Sequence, residues 1–193
     1  MQRLLKMSIG AAGVLVLGLA ACVREADSTT GQADQQPAPY TPEMRPYASI
    51  QELMLNMVDP SAEALWASVS ATYSRSGAVI NEPKSEEDWA ALRGHALILA
   101  EAGNLLIMKD RPVAVKGGKV ADEGSPGILT TFQIQAQIAQ NPARFAERAR
   151  ALQDKAEKMV QAIDRKDASA IELIGGELDE ACEACHKKYW YPS

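Results

Sequence analysis

From about residue 47 onward, apolar residues recur every three or four positions, the spacing that lays a single stripe along a helix. Ile50, Leu53, Met54, Met57 and Val58 share one such stripe. Asp59-Pro60 then supplies a cap and a first-turn proline, so helix A is expected to break or kink at residue 60 and continue through SAEALWASVSATYS. Helix B is expected to open at Ser85. Glu87 and Asp88 lie near its positive end, and Trp89, Leu92, Ala96, Leu99, Gly103 and Leu106 follow at spacings of three and four. KDRPVAVKGGKVADEGSPG reads as a long surface loop, followed by the short periodic piece ILTTFQIQAQIAQ. Asn141-Pro142 repeats the cap-and-proline signal, and Phe145, Ala149, Leu152, Ala156, Met159 and Ile163 carry helix C to about residue 165. Asp167 can cap helix D, in which Ile171, Ile174, Leu178, Ala181 and Cys185 keep the rhythm. No strand-like alternation of useful length competes. The pattern predicts an all-α antiparallel up-down-up-down four-helix bundle over residues 47–193.

The N-terminal end follows a different pattern. MQRLLKMSIGAAGVLVLGLAAC has a short basic start (Arg3, Lys6), an apolar run and then a cysteine, the plan of a secretion signal. The apolar run is too short and too rich in Gly and Ala for a membrane span, which needs about 20 apolar residues. Its ending, Leu19-Ala20-Ala21-Cys22, resembles the lipobox of bacterial lipoproteins, which implies removal of residues 1–21 and acylation of Cys22. Residues 22–46 are polar and rich in Pro and Gln, and they read as a flexible tether between lipid and domain.

Composition narrows the picture further. Nearly half of the 193 residues are apolar, so a sizeable core is within reach, and aromatic residues are few. The net charge of −5 disfavours nucleic acid, whose phosphates call for clustered Lys and Arg. There is no Ser/His/Asp set, no paired-carboxylate cleft and no phosphate loop, so an enzyme is not expected.

The chemistry lies in helix D, at Cys182-Glu183-Ala184-Cys185-His186. Two thiols at i and i+3 share a helix face and reach neighbouring pyrrole edges of a haem, while the following histidine becomes an axial iron ligand. The secretion signal supplies the exported setting that such attachment requires. Structural zinc needs four ligands, and with Cys22 assigned to the anchor only His95 and carboxylates remain. Thiol–disulfide motifs of this spacing sit at helix N-termini, whereas this one lies near a C-terminus. One covalent haem c, held through Cys182, Cys185 and His186, is the expected cofactor.

A C-terminal C-x-x-C-H on the last helix of a four-helix bundle, with Tyr189 three residues beyond the histidine, resembles the cytochrome c′ family. The likeness spans about residues 47–191 and is strongest from Asn141 to Tyr189. It implies that His186 is the proximal ligand and that Cys182 and Cys185 are the thioether cysteines. The family often has Arg after the tyrosine, where this chain has Trp190. Low-spin members of the family draw a sixth ligand from a methionine of helix A, which implies Met54, with Met57 as the alternative and core packing as the plainer role of both. Met108 and His95 are weaker candidates, and Phe132, Trp66 and Trp89 are expected in the core or the haem-pocket wall.

Together these features lead to a periplasmic single-electron carrier with a His/Met-ligated low-spin haem. It would be lipid-anchored to a bacterial membrane, the outer rather than the inner, and would serve redox partner proteins. A five-coordinate haem binding nitric oxide or carbon monoxide is the alternative, as is a haem-bearing accessory subunit of a redox complex. A homodimer is compatible with the resemblance.

Overall fold

The computed structural model of the protein describes residues 43–75 and 77–192. The proposed signal, Cys22 and most of the tether lie outside the described residues. The described residues open with α1 (Ile50–Leu53), a π-helical turn (Met54–Val58) and α2 (Asp59–Ser68), followed by a hairpin of β1 (Ser70–Ser74) and β2 (Gly77–Asn81). It continues with α3 (Glu86–Leu106), α4 (Thr131–Gln140), α5 (Pro142–Asp164) and α6 (Ala168–Tyr189). Among the described residues the architecture is helical apart from that one hairpin, and no helix there is long and apolar enough to cross a membrane.

The helix starts follow from local chemistry. Ser49, Ser85 and Thr130 each accept from the third residue of the helix they precede, and that residue's side chain answers the cap's own N–H. Asn141 caps α5 with Pro142 behind it, and Asp167 caps α6. All five satisfy donors that a helix start leaves without partners.

Helix A departs from expectation in two ways. The break comes before Pro60, as a π turn in which the Asp59 N–H donates to the Met54 carbonyl. Proline inside an α-helix removes a donor and clashes with the carbonyl four residues back, and the wider π turn on its N-terminal side is one way to take up that misfit. The helix also does not run on to Ser74. It ends at Ser68, whose hydroxyl donates to the Leu65 carbonyl at 2.6 Å, while the Asn81 amide donates to the Ala67 carbonyl at 2.6 Å. With those last carbonyls satisfied, Val69 turns extended and the chain forms an antiparallel ladder from Ser70↔Asn81 to Ser74↔Gly77. Val69, Thr72, Tyr73, Val79 and Ile80 are strand-favouring residues, and Gly77 takes the positive φ of +125° that turns the hairpin.

The apolar stripes meet where the periodicity places them. Leu65, Ala96, Leu99, Ala156, Met159, Ile171 and Leu178 are essentially sealed from solvent, each large aliphatic side chain contributing roughly 1.5–3 kcal/mol by burial. α3 and α5 run in opposite directions, as do α5 and α6. Arg93 near the start of α3 pairs with Asp164 at the end of α5 at 2.8 Å, and Phe145 at the start of α5 meets Tyr189 at the end of α6 with ring centroids 5.3 Å apart. Trp66 of α2 crosses to α6, donating from its indole to the Gly175 carbonyl at 3.0 Å. At Gly103 an added Cβ would stand 3.0 Å from the Ala149 carbonyl oxygen, so α3 and α5 approach closely there.

Buried Arg111 closes the loop end of this body. Its guanidinium donates to the Leu105 carbonyl at 2.7 Å, to the Ala48 carbonyl and to the Met108 sulfur at 3.0 Å, so the end of α3 and the approach to α1 hang on one side chain. The same loop feeds α1, whose Ile50 and Gln51 N–H groups donate to Pro112 and Val113 carbonyls at 2.8 and 2.9 Å.

Candidate cofactor site

The last two turns of α6 carry Cys182, Cys185 and His186 along one wall of a cavity of about 350 Å³. That volume lies within the range of small-molecule and cofactor pockets. Elsewhere the wall is mostly apolar. Ile50, Met54 and Val58 come from the first helical stretch, Ile134 and Ile138 from α4, and Phe145, Ala149 and Leu152 from α5. The loop adds Val113, Val120 and Ala121.

Both cysteines are free thiols, partly buried and three residues apart on the face of α6 that meets the cavity. Burial pushes each thiol up to about 11, with Asp179 and Asp59 adding to the effect at Cys182. At neutral pH both are therefore protonated, unlike a thiol–disulfide nucleophile, which works as a thiolate. A protonated thiol suits thioether formation, in which S–H adds across a vinyl double bond and leaves a neutral sulfur. Burial also lowers the pKa of His186, against the opposing pull of Glu183 and Asp59, so its imidazole is neutral and free to coordinate. Among the described residues no three His, Cys, Asp or Glu side chains gather as a zinc site would require. Two free thiols, a neutral imidazole and an apolar cavity fit a covalent haem.

Aromatic rings enclose His186 from the chain's last turn. Trp190 meets it edge-on with centroids 5.3 Å apart, and the Tyr191 ring lies at 6.0 Å. The Tyr191 hydroxyl donates to Glu183 at 2.5 Å. Trp190 is also the point where the loop is moored, because its carbonyl accepts from the Leu129 N–H at 2.8 Å and its indole donates to the Ala121 carbonyl at 3.2 Å.

The sequence candidates separate on this geometry. Met54 lines the cavity that holds Cys182, Cys185 and His186, whereas Met57 and Met108 are not among its lining residues. Met57 packs against the core, and Met108 contacts Arg111. His95 faces Ser61 across the α2–α3 contact, its Nδ1 lying 3.3 Å from the serine hydroxyl, and it is not among the lining residues either. Trp66 is part of the wall and Trp89 packs on the core. Phe132 corrects the expectation: it is 81% exposed. On α4 the inward stripe is Ile134 and Ile138, and a residue two positions before Ile134 falls on the opposite side of the helix. Sequence reasoning passed over Arg148, a half-buried cation that also lines the cavity. Its place in the α5 stripe, three residues after Phe145 and four before Leu152, was the signal available.

No curated protein and no solved structure matches the chain. The family model described as Cytochrome C' matches residues 123–190, which span α4, α5 and the C-x-x-C-H motif of α6. Over those residues the chain is similar to the cytochrome c′ family.

Proposed function

We propose that this protein is a lipid-anchored periplasmic electron carrier, a four-helix bundle whose haem c is ligated by His186 and Met54. The supporting observation is that Met54, on the first helical stretch, lines the same cavity as His186 on α6, while Met57 does not. Met54 also opens the π turn, a type of irregularity that recurs at functional sites because it re-aims a side chain. The Cys182 and Cys185 thiols of α6 would hold the haem through its vinyl groups, and the His186 imidazole and the Met54 sulfur would bind its iron. When bound, the haem supplies one-electron exchange between ferric and ferrous iron, and a neutral sulfur ligand favours the ferrous form. The chain's own part is to keep both ligands in place in the two oxidation states. It does so through the capped, core-packed α6 and through α1, which the loop holds at Ile50 and Gln51. Apolar walls around the ligands exclude water and raise the value of each contact inside.

The test is the optical spectrum of the haem-loaded, detergent-solubilised protein in ferric and ferrous forms, with and without carbon monoxide. A low-spin ferric spectrum carrying the weak sulfur-to-iron band, unchanged by carbon monoxide and converted to high spin by Met54→Ala, is expected. A high-spin spectrum that shifts at once under carbon monoxide would instead make the protein a gas binder with Met54 as packing.

A further inference from the structure

The charges around the cavity are distributed unevenly. Its lining includes three carboxylates, Asp59, Asp179 and Glu183, and one permanently charged cation, Arg148 of α5. Glu183 is engaged by Tyr191 and by Lys187 at 3.1 Å. Arg148 is half-buried and makes no hydrogen bond or ion pair among the described residues. A guanidinium taken partly out of water without an anion sits at a cost that a bound carboxylate removes. The two ends of the motif also face opposite signs. Asp59 and Asp179 lie within electrostatic reach of the Cys182 sulfur, whereas Arg148 lies within reach of the Cys185 sulfur. Arg144, the next arginine toward the start of α5, lines a separate recess with Lys188 and Tyr189.

A haem brings two propionate side arms into this setting, each on a pyrrole adjoining a vinyl-bearing one. A propionate directed at Asp59 and Asp179 meets like charge, and one on the Cys185 side meets Arg148. We infer that Arg148 is the residue that pairs with a haem propionate and, by neutralising it, holds the reduction potential up. The inference rests on the haem reading given above and concerns a residue outside the C-x-x-C-H motif.

The experiment compares Arg148→Gln, Arg148→Lys and Arg150→Gln in the haem-loaded full chain. Arg150→Gln makes the same change of net charge at an exposed position of α5 that does not line the cavity. In Arg148→Gln the ferrous-to-ferric ratio at a fixed ambient potential should fall about tenfold, a 59 mV drop for a one-electron couple. The propionate bending band in the resonance Raman spectrum should shift with it. Arg148→Lys should recover most of the potential, and Arg150→Gln should leave both readouts near the native values. A native potential and an unmoved propionate band in Arg148→Gln would overturn the inference while leaving the haem reading intact. A chain that takes up no covalent haem would overturn both.

Discussion

Two halves of the molecule meet at the cavity beside Cys182, Cys185 and His186, and they are built differently. The α5–α6 half is two long, capped, uninterrupted helices carrying both thiols and the imidazole. The half before α3 is broken four residues into α1 by a π turn, resumes as α2 and ends in a hairpin, and it offers Met54. The regular half fixes three groups relative to one another through a single helix, where the i, i+3, i+4 spacing is guaranteed by backbone hydrogen bonding. The irregular half supplies one group from another element, and its placement depends on the π turn, Pro60 and the Arg111 loop together. A covalent attachment calls for a fixed spacing. A coordinate bond tolerates a ligand brought in separately.

The contrast can be broken most drastically at the thiols. The double variant Cys182→Ala/Cys185→Ala should leave no haem on the denatured chain, read by haem staining of a denaturing gel. Staining that survives would move the attachment out of α6. Next in size is Met159→Ala, at a fully buried position of α5, expected to cost about 2–5 kcal/mol in denaturant unfolding. The same truncation at half-buried Met57 should cost below about 2 kcal/mol. Equal losses would show that the irregular half is packed as tightly as the regular one. Gly103→Ala should cost roughly 1–3 kcal/mol, because its new Cβ meets backbone of α5 that has no side-chain freedom with which to yield. An unchanged midpoint there would mean that α3 and α5 can part at little cost.

The smallest effect lies in the loop. Glu123 accepts from the Thr131 hydroxyl at 2.6 Å and the Thr131 N–H at 2.8 Å, and these bonds hold its carboxyl below the ordinary value of 4.5. Its folded pKa is thus lower than its unfolded one. The contact contributes fully above the unfolded value and is lost as pH falls through the folded value. The protection factor of the Thr131 amide, its exchange rate taken relative to the unfolded chain at the same pH, should therefore fall on acidification below about pH 4.5 in the native chain. In Glu123→Gln that protection should already be lower at neutral pH and depend less on acid.

The two halves also differed in how plainly the sequence announced them. Asn141-Pro142, Asp167 and the stripe from Phe145 to Ile163 act within a few residues of themselves, so their consequences appear in the chain and in the fold alike. The C-x-x-C-H spacing is likewise local. The hairpin was hidden because ALWASVSATYS still reads as helix, and what stops it, Asn81 capping the Ala67 carbonyl, lies 14 residues further on. The π turn had Pro60 as a signal for a break but none for its type. Phe132 looked like core because apolar character alone does not say which side of a short helix a residue occupies. Arg148 passed as one of several charges on an amphipathic helix, and only the cavity singles it out.

The mooring of the loop on Trp190 has a proteolytic consequence. Lys116 and Lys119 are exposed in a stretch whose far end is held by the Leu129 and Ala121 bonds to that one residue beyond α6. While the last turn keeps its place around His186, the loop is pinned at Ala121 and Leu129 and presents a constrained backbone to trypsin. Once that turn frays, two of its tethers go together and the lysines become cleavable. The rate at which trypsin nicks the chain there is thus a gauge of how firmly the His186 end of α6 is closed.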